Sequence, residues 1–349
     1  MRALTVIPLE ADSLALSDVA EPVPGEGQLL ARTLTIGVCG TDREIISGHY
    51  GEAPPGAERL IIGHESLAEV ISAPQGNGFH AGELIVGIVR RPDPVPCPNC
   101  AAGEWDMCRN GLYTEHGIKG ADGYAAERFA LDARYAVKVD GRLRDTGVLL
   151  EPASIVAKAW DHIGRIAARA VWHPRTVLVT GAGTVGLLAA MMAVQRGLDV
   201  TLFDRTLEGI KPKLAEALGA RYCTGELSQL KLRPDIVVEC TGAPTVIISA
   251  LELTGPNGIL CLAGLSSGQR RVEINADVLG RTMVLENDVV FGTVNANRRH
   301  YTMAADALAA ADQEWLSMMI TRRVPLSSWA EAFGKPAGDV KTVIDFTLP

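Results

Sequence analysis

Four residues spread over the first 151 positions carry side chains that bind zinc. Cys39 lies in GVCGTD, His64 and Glu65 lie together in IIGHES, and Glu151 opens EPAS. A thiolate, an imidazole and carboxylates make up a donor set suited to a catalytic zinc, which draws its ligands from separate loops and keeps a position open for substrate. Each residue taken singly also fits an ordinary role. Cys39 would serve as a buried thiol, His64 as a hydrogen-bonded core histidine, and Glu65 and Glu151 as solvated charges or acids near a helix N-terminus.

A second cluster is compact. RRPDPVPCPNCAAGEWDMC places Cys97, Cys100 and Cys108 in a C-x2-C-x7-C array within a Pro-rich loop. Such an array suggests a structural zinc, which closes with four ligands. Three cysteines leave one place open, and Asp93 is the nearest candidate for it. The alternative is three free thiols.

The third group handles phosphate. The apolar run TVLVT leads into GAGTVG and then LLAAMMAVQRG. Gly181, Gly183 and Gly186 form G-x-G-x-x-G, with Thr184 and Val185 between the last two. The first glycine permits a tight turn, the second lets a pyrophosphate approach the backbone, and the third lets helix and strand pack closely. The helix that follows offers free N–H groups and a positive dipole end. Asp204 stands about 20 residues on, at the end of the next apolar run, where a ribose hydroxyl would be bound. Its neighbour Arg205, with Lys211 and Lys213 nearby, would favour a 2′-phosphate instead. The other reading is that Asp204 caps the following turn. We expect NAD to be preferred and NADP to be accepted more weakly.

These residues need elements to hold them. Residues before 150 read as short strands broken by Gly and Pro: LLARTLTIGVCG, LIIGHESLAEVI, ELIVGIV and YAAERFALD. That texture predicts an irregular β-rich domain. EPASIVAKAWDHIGRIAARA has helical spacing. Beyond it TVLVTG, DVTLFDR, DIVVECTG, GILCLAG and VVFGTV are β-branched runs with helical stretches between most of them, the sequence form of a parallel sheet wrapped by helices. Thr241, Gly242, Ala263, Gly264 and Leu265 then fall at the carboxyl ends of strands, where ligands collect in open parallel sheets. The last fifty residues resume the mixed texture and end in a strand-like TVIDFTLP.

The chain has 349 residues, 41 acidic and 33 basic, with a net charge of −8. An acidic surface repels phosphate backbones, which argues against general nucleic-acid binding. No apolar run approaches the roughly 20 residues of a membrane span. Glu10 and Asp12 interrupt the N-terminus too early for a secretory signal, so a cytoplasmic protein is expected. Seven cysteines, an odd number, point to metal binding or free thiols more than to disulfides.

The chain resembles the zinc-containing medium-chain dehydrogenase/reductase (alcohol dehydrogenase) family over nearly its whole length, in the glucose 1-dehydrogenase-like branch. The matching segments are GVCGTDREIISGHYGEAPPGAERLIIGHESLAEV, RRPDPVPCPNCAAGEWDMC, YTEHGIKGADGYAAERF, EPASIVAKA and FGTVNAN. The resemblance implies an α/β protein with two domains. One is a Rossmann-type doubly wound parallel sheet over 156–296. The other is an irregular β-rich, GroES-like catalytic domain over 1–155 plus 297–349. It also implies a catalytic zinc on Cys39, His64, Glu65 and Glu151. The structural zinc would sit on Cys97, Cys100 and Cys108, with Asp93 as its fourth ligand. Nucleotide contacts would extend to Thr293, Val294 and Asn295, and sugar contacts would fall on Thr41, Glu115, Glu151 and Asn295. The expected reaction is zinc-dependent oxidation of an aldose, D-glucose first, to its aldonolactone with hydride passing to NAD(P). Thr41 is the proton relay, and Glu44, Glu65 or Glu151 takes the proton onward. The alternative is a polyol, cyclitol or secondary alcohol on the same fold, and a homo-oligomer is expected. Pro94 stands where the full lobe has its first cysteine, Ile155 where some members have a sugar-contacting acid, and Asp204–Arg205 where members preferring NADP have Asn-Arg.

Overall fold

The computed structural model describes residues 1–265, 271–334 and 336–349. The chain divides into two compact units, Met1–Ser154 with Asn295–Pro349, and Ile155–Val294.

In the first unit the longest strand, Gln28–Val38, sits inside a seven-stranded sheet. It pairs antiparallel with Glu65–Ser72, with Lys341–Asp345 and with Arg128–Asp132. Antiparallel pairing puts the end of Gln28–Val38 beside the beginnings of two neighbours, Glu65–Ser72 and Lys341–Asp345. The register confirms this, with Gly37 opposite Glu65 and Val38 opposite Thr342. Three chain segments far apart in sequence thus deliver Cys39, Glu65 and Lys341 to one edge. Leu4, Leu29, Ile36, Ile62, Ile85 and Ile344 pack in the core that supports this edge.

Two sequence expectations change here. LIIGHESLAEVI is not one strand. Leu60–Ile61 joins a small sheet with Arg2–Val6, while Glu65–Ser72 joins the large one. Gly63, at φ +86° in the break, makes the switch, and its missing Cβ avoids Ala125 at 2.9 Å. YAAERFALD is a strand only over Arg128–Asp132. Arg90–Arg91, Thr114–His116 and Gly120–Ala121 form a further small sheet that the sequence pattern did not suggest. Its strands are only two or three residues long, too short to carry an alternation signal.

The second unit holds a six-stranded parallel sheet. Its order is Arg221–Cys223, Asp199–Phe203, Thr176–Thr180, Ile236–Glu239, Ile259–Leu262, Val289–Gly292. That is the 3-2-1-4-5-6 order of a dinucleotide-binding sheet, with its switch point between Thr176–Thr180 and Ile236–Glu239. The helix Thr184–Val194 buries every residue from Gly186 to Ala193. It is apolar all round, and it therefore belongs in the interior.

Candidate functional site

The metal-type residues assemble at the sheet edge of the first unit. Cys39 caps the short helix Gly40–Ile46: its sulfur accepts the Thr41 N–H at 3.3 Å, and the Asp42 carboxylate accepts the Cys39 N–H at 2.9 Å. Cys39 Sγ lies 3.1 Å from His64 Nε2. Ligand atoms of Cys39, His64 and Glu65 all lie within 4.8 Å of one another. On the far side of the ring, His64 Nδ1 faces Asp42 Oδ1 at 3.3 Å. A carboxylate behind a histidine fixes its tautomer and leaves the other nitrogen free to ligate. Burial works against charge on His64, yet the Cys39 sulfur and Asp42 push its proton affinity well above the ordinary value. Burial likewise opposes charge on Asp42, and His64 with the Cys39 N–H brings its carboxyl below the usual range. The pocket therefore attracts a cation, and a soft–hard mixture of S, N and O donors suits zinc.

Glu151, at the start of the helix Leu150–Ala167, is buried but stands outside that three-residue cluster. Burial pushes its carboxyl up to about 8, with Glu65 adding to the rise and His64 and Lys341 opposing it. The sequence did not point to three supporting residues. Lys341 is almost fully buried, ion-pairs with Glu65 and donates to the Val38 carbonyl at 3.2 Å. Asp42 backs His64. Gly37 leaves room for the Glu65 carboxylate, which a Cβ there would strike, and for Lys341, whose Cε it would meet at 2.8 Å. The C-x-x-D spacing of a capping box would have flagged Asp42. A lysine opening the apolar strand KTVID was the only trace of Lys341.

The lobe is also gathered. Cys97, Cys100 and Cys108 bring their sulfurs within 4.8 Å of one another. Backbone N–H groups of Arg109 and Cys100 hold the Cys97 thiol down to about 6, while burial pushes Cys100 up to about 11. Asp93 is outside the thiol triad. Its Oδ1 accepts the Val95 N–H at 2.8 Å, and its buried Oδ2 has no hydrogen-bond partner among the described residues. Three converging sulfurs, one of them held by backbone N–H groups, fit a cation.

Glu115 is buried and accepts hydrogen bonds from Arg90 and Asn295. Asn295 holds φ +59°, which turns the chain at this point. Thr41 is half-buried at the start of its helix.

In the second unit Gly181 takes φ +91° and Gly183 caps the helix. A Cβ on Gly186 would strike the Gly181 carbonyl, whereas one on Gly183 would meet nothing within 4 Å. The first and third glycines are thus required by the fold, and the second leaves open space for a ligand. Gly264 packs on the Gly242 and Cys240 backbone. Asp204 is buried and does two jobs: it accepts the Ala182 N–H at 2.7 Å and the Thr206 N–H at 2.8 Å. Lys211 ion-pairs with it at 3.2 Å. Glu239 is fully buried and was not anticipated. It accepts the Thr241 N–H at 2.7 Å, the Gly242 N–H at 3.1 Å and the Thr180 hydroxyl at 3.2 Å, which ties down the loop beside the switch point. Thr293 is buried, while Leu265 and Val294 are exposed.

The family description "Alcohol dehydrogenase GroES-like domain" matches residues 25–141, and "Glucose dehydrogenase C-terminus" matches 144–346. The chain is 43% identical to glucose 1-dehydrogenase 2 of Vulcanisaeta moutnovskia and 40% identical to a glucose 1-dehydrogenase of Methanocella arvoryzae, over 99% of both partners in each case. Its fold superposes on the Haloferax mediterranei glucose dehydrogenase in complex with NADP, Zn and gluconolactone. The TM-score is 0.92 and the identity 30%, with 100% of each chain covered. With this full-length likeness added to the sheet order and the C…HE cluster, the chain belongs to the zinc-containing medium-chain dehydrogenase/reductase family, in its glucose 1-dehydrogenase-like branch.

Proposed function

We propose that this protein oxidises an aldose, D-glucose first, at its anomeric carbon to the aldonolactone, with NAD(P) as the hydride acceptor. The observation that carries this reading is the Cys39–His64–Glu65 cluster, with His64 and Glu65 buried, backed by Asp42 and Lys341. Those three residues hold the zinc, with Glu151 beside them. Bound there, zinc supplies Lewis acidity that favours loss of a proton from the substrate hydroxyl. Thr41 receives that proton through its hydroxyl and passes it to a carboxylate. Glu115 and Asn295 bind sugar hydroxyls and orient the ring. Gly183 admits the pyrophosphate, and Glu239 holds the Thr241–Gly242 turn in the half of the sheet that takes the nicotinamide. The second zinc sits on Cys97, Cys100, Cys108 and Asp93.

Asp204 makes NAD the preferred cofactor, since its charge opposes a 2′-phosphate. Lys211 and Arg205 moderate that preference. Asp204→Asn should shift kcat/KM toward NADP. A parent enzyme that already favours NADP, or a ratio unmoved by the substitution, would refute this assignment.

The working form is a homo-oligomer in the cytoplasm. What supports association is the edge strand Val289–Gly292 and the helix Ala276–Glu286, which exposes Val278, Val284 and Leu285. No helix among the described residues is long and apolar enough to cross a membrane. The deciding experiment is a screen of aldoses, polyols, cyclitols and secondary alcohols with NAD and NADP, before and after chelation. Glucose turnover with lactone product, lost on chelation and restored by zinc, is expected. Turnover confined to a polyol, cyclitol or simple alcohol would move the substrate, and turnover indifferent to chelator would remove the metal.

A further inference from the structure

Glu115 is held in an asymmetric way. Arg90 Nε donates to its Oε1 at 3.1 Å and Arg90 Nη2 donates to the same oxygen at 3.0 Å. The Asn295 amide also donates to Oε1. Among the described residues, every bond the carboxylate accepts falls on that one oxygen, which leaves Oε2 to accept from a ligand. The arrangement is built into the backbone, because Arg90 and Glu115 are direct partners in the antiparallel pair of Arg90–Arg91 with Thr114–His116. Opposite residues in such a pair keep their side chains in reach of each other whatever the neighbouring loops do.

Arg90 is itself constrained on every side. It is 5% exposed. Its Nη1 donates to the Asp106 carbonyl at 3.1 Å, and its guanidinium lies 3.7 Å from the centre of the Tyr113 ring. A planar fork with five N–H groups can fill these roles at once, and an ammonium cannot. Asp106 also accepts from Asn297 at 2.8 Å, two residues from Asn295. The cysteine lobe, through Asp106, and the Asn295 turn are therefore braced on one frame around Glu115.

We infer that Arg90 is the positioning residue of the sugar site: it locks Oε1 of Glu115, so that Oε2 is presented as a fixed acceptor for a substrate hydroxyl. This rests on the proposed role of Glu115 in binding sugar. It makes Glu115 a one-oxygen acceptor that selects a hydroxyl able to donate from one direction. A site built around a pinned acceptor discriminates against an epimer or deoxy sugar that cannot supply that donor.

The test compares Arg90→Gln, Arg90→Lys and Arg90→Ala with Glu115→Gln in the zinc-loaded enzyme. KM for D-glucose should rise by roughly 30- to 100-fold in Arg90→Gln and by about 10-fold in Arg90→Lys, with kcat changing less. NADH affinity and zinc content should stay at the parent level. Added guanidinium should lower the raised KM of Arg90→Ala, a rescue that general destabilisation would not show. The double variant Arg90→Gln/Glu115→Gln should be no worse than Glu115→Gln alone. If Arg90→Ala does not fold, the Gln and Lys variants carry the test. A glucose KM within twofold of the parent in folded Arg90→Gln, or a kcat loss with KM unmoved, overturns the inference. If Glu115→Gln leaves KM unmoved, the sugar-site reading itself fails. If Glu115→Gln raises KM and the Arg90 variants do not, only the role of Arg90 fails.

Discussion

The first unit contains two metal-type clusters that are built in opposite ways. Cys39 meets His64 and Glu65 because Gln28–Val38 pairs antiparallel with Glu65–Ser72, and a strand from the far end of the sequence brings Lys341 to the same edge. Their donors are mixed, and Asp42 and Lys341 stand behind them. Cys97, Cys100 and Cys108 come from one local stretch, offer sulfur alone, and are held by N–H groups of the same loop. A mixed, backed set of three would leave a coordination position for substrate. A local, all-thiol set of three would need one more donor to close. On the proposed reading, chemistry falls to the first centre and loop stability to the second.

The sharpest way to break this contrast is to remove one ligand from each centre. Cys39→Ala or His64→Ala should lower turnover by roughly three orders of magnitude or more, through the lost stabilisation of developing charge. NADH binding should change little, because both residues lie in the first unit while the glycine loop lies in the second. Turnover within tenfold of the parent would make the mixed centre structural.

Cys100→Ser should show the reverse signature. Elemental analysis should fall from about two zinc atoms per subunit to about one. Tm should drop by roughly 5–10 °C, and turnover per folded molecule should persist. One zinc per subunit in freshly prepared parent enzyme would mean that the lobe is a metal-free loop.

Asp42→Asn addresses the support of the mixed centre. It keeps the shape and removes the charge behind His64, and a loss of about 10- to 100-fold in metal affinity or activity is expected. An unchanged chelator titration would mean that the histidine is oriented by the fold alone. Asp93→Asn should give the smallest effect, about a tenfold weaker hold on the lobe metal with turnover untouched. Equal metal retention in that variant would leave the lobe with three protein ligands.

The fold was readable where the pattern is long. The parallel runs from TVLVT to VVFGTV and the glycine loop between the first of them and its helix appear in the structure at nearly the same positions. The zinc-type residues were also identifiable, since Cys, His and paired acids in GVCGTD and IIGHES are rare combinations. Residues that act by support were not. Lys341, Arg90 and Glu239 are charged groups in short or mostly apolar segments, and without their partners they look like surface residues. Asp204 was readable as an acid at a strand end. Its bond to the Ala182 N–H, however, depends on how the glycine loop folds over the neighbouring strand.

By itself the sequence determined the chemistry available: the donors for a metal, the glycines that admit a pyrophosphate, and the alternation that makes a parallel sheet. These follow from side-chain type and from spacings of a few residues, which local physics reads directly. Only the tertiary structure decided which donors meet. Strand register carries Glu65 and Lys341 to the end of the strand before Cys39, and it sets Arg90 opposite Glu115. Register is selected by burial of whole faces and by pairing between distant segments, so a shift of one residue would send each of these side chains to the other side of the sheet.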